Sequence, residues 1–182
     1  FIASCEEDRQ MIKELLNLIP KVDTKYQTFK NRLSDIVSQI AADAGNGVII
    51  FSQYTATASY LYDTLRQEHL KTPLLLTTGT ICRDAKGNPC GNKKTALVKE
   101  FQKNGGILVS TDVLSEGQNL QNAQYVINYD FPWNPVVLIQ RVGRIDRMGS
   151  LHKKVYLSNI LPKNGDPNDP TSIQHFIGLM QK

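Results

Sequence analysis

Apolar residues recur at helical spacing in two stretches near the beginning of the chain. Residues three and four positions apart share one face of a helix, so each stretch predicts a helix with one buried side. The first stripe, which Pro20 ends, consists of Ile12, Leu15, Leu16 and Ile19. The second stripe begins after Asp23 and Thr24, which can cap a helix. It ends before the Gly-Asn-Gly sequence at 45–47 and consists of Tyr26, Phe29, Leu33, Ile36 and Ile40.

Short apolar runs then alternate with further helical patterns. The runs predict strands at residues 48–51, 74–77, 107–110, 125–129 and 154–158. The helical patterns predict helices within 54–65, 94–101 and 135–148, with a turn-rich loop at 79–92. Strands that alternate with helices in this way form βαβ units, so the sequence predicts an α/β fold around a parallel sheet. Such sheets bind ligands at the carboxyl ends of their strands.

The same patterns divide the chain into three parts. We expect a helical lead-in at 1–45 packed on the main domain, an α/β domain at 46–162, and a turn with a closing helix at 163–182. The apolar stripe of that closing helix consists of Ile173, Phe176, Ile177 and Met180. The predicted architecture is therefore one α/β layer domain with helical extensions at both ends.

Composition narrows the class of protein. Of the 182 residues, 41% are hydrophobic and 21% are charged, which is typical of a globular domain with a core. No apolar run approaches the ~18 residues of a membrane span, so we expect no membrane contact and a cytoplasmic location. The net charge of +4 is compatible with a polyanionic partner without indicating one. The chain starts at Phe1 rather than Met, and we expect it to be a fragment of a longer polypeptide.

The three cysteines are Cys5, Cys82 and Cys90, an odd number in a chain too long to need disulfides, and we expect reduced thiols. Cys82 and Cys90 share one loop, so a metal site is conceivable there. Because no second pair of Cys or His residues lies nearby in the sequence, ordinary loop thiols are favoured and no metal site is predicted.

The most informative stretch is QRVGRIDRMGS at 140–150, within the predicted helix that Pro135 opens after Asn134. At 100° per residue, Gln140, Arg144 and Arg147 share a narrow stripe. The apolar residues of the opposite face are Leu138, Val142 and Ile145. Two guanidinium groups one turn apart suit an anion with several oxygens, above all a polyphosphate, although a solvated face with surface ion pairs is an equal alternative. Arg141 lies off this stripe, and we expect it to be dispensable.

A second candidate site lies where the predicted strand at 107–110 ends. Ser110, Thr111 and Asp112 bring hydroxyl groups and a carboxylate to the ligand-binding edge of the sheet. Gly117 then permits close approach of the backbone, with Glu116 and Asn119 around it. Taken alone, this stretch is also compatible with an ordinary turn between a strand and a helix.

Together with VIIFSQY at 48–54 and YDFPWNP at 129–135, these stretches resemble the second RecA-like lobe of superfamily 2 helicases and translocases. VIIFSQYTATASYLYDTL resembles motif IV, STDVLSEGQNLQ motif V, and QRVGRIDRMGS motif VI. The sequence around Trp133 and Asn134 resembles the Swi/Snf-like branch. Within that branch, motifs V and VI are most similar to those of bacterial RapA-type and phospholipase-D-associated helicases. The resemblance covers residues 24–162, with the three motifs in the family's order and spacing.

The resemblance implies roles at a nucleotide. Arg144 and Arg147 match the motif VI arginines that reach the γ-phosphate of ATP across the cleft between two lobes, which is arginine-finger chemistry. Gln140 matches the glutamine that connects motif VI to the nucleotide. The positions that match the surroundings of the ATP ribose are Glu116, Gly117 and Asn119.

The resemblance also implies contacts with nucleic acid, with DNA favoured over RNA. Ser110 and Thr111 match positions where motif V meets the nucleic-acid backbone, and Ser52 of motif IV matches a similar position. Lys94 stands where the family commonly has an arginine, and a lysine cannot form the bidentate fork of a guanidinium. Asp112 matches a residue that couples motifs V and VI.

The sequence contains neither a G-x-x-x-x-G-K-[ST] phosphate loop nor an acidic metal motif of the D-E-x-H type. In the family these elements, and with them the Mg²⁺ ligands, lie on an N-terminal RecA-like lobe of the same polypeptide. The resemblance therefore implies the C-terminal motor lobe of an ATP-dependent helicase or translocase that is associated with the bacterial or archaeal nucleoid. The alternative is a non-catalytic nucleic-acid-binding or regulatory module with the same fold. A dinucleotide-binding dehydrogenase is strongly disfavoured, because G-x-G-x-x-G follows none of the predicted strands.

We predict that the chain alone does not hydrolyse ATP, because the phosphate loop that would position Mg²⁺ and the attacking water is missing from its sequence. The measurement is release of phosphate from ATP by the purified chain in the presence of Mg²⁺ and nucleic acid. A turnover near ~1 s⁻¹, within the ordinary range of enzymes, would contradict the prediction.

Overall fold

A six-stranded sheet forms the centre of the structure, a computed structural model that describes residues 2–18, 22–40, 46–91, 94–112, 120–132, 134–147, 150 and 152–161. The strands are β1 (Gly47–Phe51), β2 (Leu74–Thr77), β3 (Cys82–Arg83), β4 (Gly106–Ser110), β5 (Ala123–Asn128) and β6 (Tyr156–Asn159). Their order in the sheet is β3-β2-β4-β1-β5-β6, and all neighbours are parallel except β2 and β3. The predicted parallel α/β sheet is confirmed.

Five helices accompany the sheet in the described part of the chain. They are α1 (Ile2–Leu18), α2 (Thr24–Ile40), α3 (Thr55–Gln67), α4 (Lys94–Asn104) and α5 (Pro135–Val142). None of the helices in the described ranges is long and apolar enough to cross a bilayer.

Alternate residues of the central strand β1 point to opposite faces of the sheet, and each face has its own apolar cluster. Val48 and Ile50 pack in the cluster that also contains residues of α2 and α3. Ile49 and Phe51 pack in the cluster that contains residues of α4 and, beyond α5, Ile145. Helices therefore cover both faces, and the central strands, buried on both sides, are apolar throughout as expected for parallel strands.

The second apolar stripe of the sequence is confirmed as the buried face of α2, which comprises Tyr26, Phe29, Leu33, Ile36 and Ile40. Burying a side chain of this size stabilises a fold by about 1.5–3 kcal/mol, so α2 contributes strongly to the core of the α/β domain. The first stripe differs, because Ile12 and Leu16 of α1 are exposed. Packing of α1 on the domain therefore stays a prediction, and the closing helix at 163–182 lies outside the described residues.

Two predicted elements differ from the structure. The turn-rich loop at 79–92 contains β3, which pairs antiparallel with β2 through Thr77 and Cys82. The helix predicted to reach residue 148 ends at Val142, and the described residues that follow form turns. Gly143 is a weak helix former, and the carbonyl of Arg144 accepts a hydrogen bond from the main-chain N–H of Leu120 instead of continuing the helix.

Gly106, where β4 begins, is a position at which only glycine fits. Its φ is +105°, and an added Cβ would lie 2.6 Å from the carbonyl oxygen of Pro73. That carbonyl accepts a 2.8 Å hydrogen bond from the N–H of Ile107, which fixes the close approach of the two segments. Gly91 also has a positive φ, +56°, but no atom of the described part of the chain would lie within 4 Å of an added Cβ.

We expect Gly106→Ala to lower the free energy of unfolding by about 3 kcal/mol, because backbone strain and a backbone clash both oppose the side chain. Gly91→Ala meets the strain alone and should lower it by about 1 kcal/mol. Urea denaturation followed by circular dichroism measures both values. Equal losses of unfolding free energy in the two variants would show that the close contact with the Pro73 carbonyl adds nothing to the cost of the substitution.

Candidate functional site

Polar side chains meet at the carboxyl edge of the sheet, where parallel sheets bind ligands. Ser52 follows β1, Asp112 follows β4, and Asn128 ends β5. Helix α5 begins shortly after β5, and the side chain of Asn134 caps it by accepting a 2.9 Å hydrogen bond from the N–H of Val136. The edge thus places the strand ends next to the helix that carries Gln140 and leads into the arginine-rich segment.

Arg141 is the central residue of this edge, and its side chain has no exposed surface. Its Nε donates to Asp112 Oδ1 at 2.6 Å, and its Nη1 donates to Asn128 Oδ1 at 2.6 Å. Nη1 also lies 3.4 Å from the carbonyl oxygen of Asp130, and the guanidinium lies 4.9 Å from the centre of the Phe51 ring. This buried guanidinium therefore joins α5 to the ends of β4 and β5, the two strands that flank β1.

The structure places Arg141 in a buried polar network, so Arg141 is not a neutral control position, and the expectation that the protein stays active without it stays a prediction. Arg141 is as completely buried as Ile145, which lies in the turns that follow α5. The sequence predicted Leu138, Val142 and Ile145 on the inner face, and the structure buries Ile145 and half-buries Leu138 and Val142. An arginine buried with them was not expected. A signal was present in the sequence, because acceptors at two strand ends, Asp112 and Asn128, require a donor between them.

Asp130, just beyond β5, lies in the stretch YDFPWNP at 129–135, and the sequence alone predicted no role for it. Its carboxylate accepts hydrogen bonds from Ser52 Oγ at 2.6 Å, from Lys25 Nζ at 2.7 Å and from the N–H of Gln53 at 3.2 Å. Burial raises the pKa of this carboxyl, but these three hydrogen bonds outweigh burial and hold the pKa below its usual value. The group is therefore charged at neutral pH.

The predicted nucleotide contacts lie on and just after α5. Gln140 and Arg147 are exposed and Arg144 is half-buried. Arg147 Nε donates to the carbonyl of Gly143 at 2.9 Å, and the carbonyl of Arg144 accepts from Leu120 at 3.2 Å. An amide and two guanidinium groups are suited to phosphate oxygens and not to a cation. Their assignment to ATP stays a prediction.

The remaining predicted ATP contacts, Glu116, Gly117 and Asn119, lie outside the described residues. Within the described ranges, no group of three or more His, Cys, Asp or Glu side chains could hold a metal ion.

The predicted nucleic-acid contacts point mostly into the protein. Ser52 and Ser110 are completely buried, and the Ser110 hydroxyl donates to the carbonyl of Thr111 at 2.8 Å. Thr111 is also buried, and its hydroxyl has no hydrogen-bond partner in the described part of the chain. Lys94 Nζ donates to the carbonyl of Gly79 at 2.7 Å. Contacts of these four residues with nucleic acid stay predictions.

The cysteine loop forms a small hairpin next to this edge. Cys82 and Cys90 are free thiols, and the N–H of Cys90 donates to the carbonyl of Cys82 at 2.9 Å. Burial, and after it the hydrogen bond to Cys82, raises the pKa of the Cys90 thiol to about 12. A thiol with such a pKa is protonated at neutral pH and is a poor nucleophile or metal ligand.

Comparison with known proteins identifies the class to which this site belongs. Residues 30–149 match the family described as "Helicase conserved C-terminal domain". Since the match covers most of the chain, the protein belongs to this family. The expectation of a RecA-like helicase C-terminal lobe is thereby confirmed.

Individual relatives agree with this family. The chain is 31% identical to the uncharacterized ATP-dependent helicase YqhH of Bacillus subtilis (strain 168) over 157 residues, covering 86% of this chain and 25% of YqhH. It is 28% identical to the RNA polymerase-associated protein RapA of Serratia proteamaculans (strain 568), covering 68% of this chain and 12% of RapA. The chain thus spans a quarter or less of the length of these relatives.

Among solved structures, domain 2 of the DEAD-box helicase Mss116p, bound to an RNA duplex, superposes with a TM-score of 0.57 and 32% identity. The superposition covers 71% of this chain and 48% of that chain.

The buried contacts of Arg141 make it a stability determinant. We expect Arg141→Met to lower the free energy of unfolding by about 3 kcal/mol, because Asp112 and Asn128 lose their shared donor. The Asp112 side chain is 38% exposed, so water can solvate part of the released charge. Arg32 is the control, since it is exposed on α2 and donates to Ser158 Oγ at 3.1 Å. Arg32→Met should change the free energy by no more than about 0.5 kcal/mol. Urea titrations that give equal values for both variants would contradict the assignment.

Proposed function

We propose that this chain is the C-terminal motor lobe of an ATP-dependent nucleic-acid helicase or translocase. The observation that carries the proposal is the fixed position of α5. Buried Arg141 anchors this helix to the carboxyl edge of the sheet, and accessible cationic groups follow it at Arg144 and Arg147. Two guanidinium groups on an anchored segment at the ligand edge suit the charge that develops on a transferring phosphoryl group.

In this proposal Arg144 and Arg147 bind oxygens of the ATP triphosphate, and Gln140 orients the nucleotide. Glu116, Gly117 and Asn119 complete the pocket around the ribose. The phosphate loop, the Mg²⁺ ligands and the group that positions water belong to a partner, the N-terminal RecA-like lobe of the same polypeptide. The share of YqhH and RapA that this chain leaves uncovered has room for such a lobe.

Coupling between nucleotide and nucleic acid would pass through Asp112. Its carboxylate binds Arg141 of α5, and it directly follows Ser110 and Thr111, the proposed motif V contacts to the nucleic-acid backbone. Ser52 and Lys94 would lie along the same groove. A change at the phosphates that shifts α5 would therefore reach the segment at 110–112 through one ion pair. We favour DNA as the nucleic acid and a cytoplasmic, nucleoid-associated location.

The sharpest test uses the parent protein with both lobes. We expect Arg147→Ala to lower the nucleic-acid-stimulated kcat by ~10³-fold, the lower end of the effect of arginine fingers. The affinity for ATP should fall much less, because an interaction made mainly in the transition state changes kcat. Arg147→Lys keeps the charge but loses the planar fork, so it should recover only part of the rate.

Arg32→Ala is the control for this experiment, because Arg32 is exposed and contacts Ser158 on β6 rather than the candidate site. Steady-state kinetics decide the question, with folding checked by thermal melting. If Arg147→Ala and Arg32→Ala both retain the wild-type kcat, the arginine-finger role of Arg147 is rejected. A wild-type parent that shows no nucleic-acid-stimulated hydrolysis of ATP would reject the motor function in favour of a non-catalytic nucleic-acid-binding or regulatory module.

A further inference from the structure

Asp130 connects three separate parts of the chain at the carboxyl edge of the sheet. Its carboxylate binds Lys25 of α2 and the two residues that follow β1, Ser52 and Gln53. Its carbonyl oxygen lies 3.4 Å from Nη1 of Arg141, the residue that anchors α5. Asp130 therefore fixes the turn between β5 and α5. Its side chain binds α2 and the segment after β1, and its main-chain carbonyl lies next to Arg141 of α5.

Lys25 is the cation of this arrangement, and its position is well defined. It lies in the first turn of α2, where Asp23 Oδ1 caps the helix by accepting a 2.8 Å hydrogen bond from the N–H of Tyr26. The Lys25 ammonium is 2.7 Å from Asp130 Oδ1 and 4.2 Å from the centre of the Tyr129 ring. It thus binds a carboxylate and an aromatic face on consecutive residues of the same turn.

The ion pair differs from an ordinary surface pair because its acid is largely buried. The Asp130 side chain is 17% exposed, whereas that of Lys25 is 44% exposed. Without the ammonium, a charged carboxylate would remain in partly apolar surroundings, and its remaining partners in the described part of the chain would be Ser52 and Gln53. It would then rotate toward water or take up a proton, and either change alters the turn that presents its carbonyl to Arg141.

From these contacts we propose that Lys25 is a positioning residue for the arginine-rich segment at 140–147. The route runs from Lys25 to Asp130, from Asp130 to Arg141, and along α5 to Arg144 and Arg147. Lys25 lies before residue 30, where the match to the family begins. Helix α2 would thus help to position the arginine-rich segment. The expected effect on kcat rests on the proposed function, whereas the positioning of Arg141 does not.

Lys30 provides a matched control on the same helix. Its ammonium is 2.8 Å from Glu68 Oε1 and its side chain is 43% exposed, nearly the same as Lys25. Lys25→Met and Lys30→Met each remove one charge and one ion pair from α2 while keeping the apolar stem of the side chain. The two variants differ in the position of the carboxylate that loses its ammonium partner. Glu68 follows α3, whereas Asp130 precedes α5, the helix that leads into the arginine-rich segment.

The kinetic experiment uses the two-lobe parent protein. We expect Lys25→Met to lower kcat about 10-fold or more while KM for ATP changes less than about 2-fold, because misplaced catalytic groups reduce rate more than binding. Lys25→Arg retains a cation for Asp130 and should recover most of the rate. Lys30→Met should match the wild type. Equal losses in Lys25→Met and Lys30→Met would show a general effect on α2 and overturn the inference.

A second experiment needs no activity and uses the 182-residue chain. The side-chain Nε–H of Arg141, hydrogen-bonded to Asp112 and buried, should exchange slowly with solvent in ¹⁵N-resolved NMR spectra. We expect Lys25→Met to accelerate this exchange at least about 10-fold and Lys30→Met to leave it unchanged, with thermal melts confirming that both variants fold. If Lys25→Met does not fold, the same measurement on Lys25→Gln and Lys25→Arg decides.

The two experiments separate the inference from the proposed function. A wild-type parent without ATPase activity would reject the motor function, and the exchange of Arg141 would still test the positioning by Lys25. A wild-type rate of exchange in Lys25→Met overturns the inference, even if kcat falls, because the proposed route passes through Arg141. Faster exchange together with an unchanged kcat in an active parent also overturns it.

Discussion

The buried guanidinium of Arg141 is the constraint on which the arrangement of the site depends. A permanently charged group without exposed surface requires acceptors, and here Asp112, Asn128 and the carbonyl of Asp130 supply them to Nε and Nη1. Nη2 has no hydrogen-bond partner in the described part of the chain. These acceptors come from the ends of β4 and β5. The strand ends and α5 therefore have to keep one register, because any relative shift would leave a buried charge without a partner.

This constraint explains the unusual distribution of polarity on α5. The helix lies over strand ends that carry hydroxyl, amide and carboxylate groups, so an arginine is the residue that fits its inner side. Its apolar residues Val136 and Ile139 are exposed instead. The side-chain amide of Asn128 is also held in one orientation, since its Nδ2 donates a hydrogen bond to Asn159 Oδ1 at 2.8 Å. This hydrogen bond extends the polar network to β6. The site is thus a polar network built on an apolar sheet, as expected where a rigid scaffold carries a functional edge.

Most of the fold could be predicted from local pattern. The strand runs at 48–51, 74–77 and 107–110 lie within or coincide with β1, β2 and β4, and the stripe from Tyr26 to Ile40 is the inner face of α2. These elements are strongly periodic and their environment is apolar, so pattern and burial agree. The prediction was wrong at 79–92, where a strand forms without an apolar run in the sequence. The short strand β3 has two residues, and its pairing with β2 follows from the hairpin and not from any run of apolar residues.

Apart from β3, the sequence by itself determined the order of strands and helices along the chain and, through motifs IV, V and VI, the family to which the chain belongs. It also led to the prediction of functional residues at 110–112 and at 140–150. Only the tertiary structure decided that α5 ends at Val142, that Arg141 is buried, and that Lys25 reaches Asp130. The reason is physical. Periodicity reports whether a side chain is apolar, but the burial of a charge depends on acceptors that come from residues far away along the chain and meet only in the folded protein.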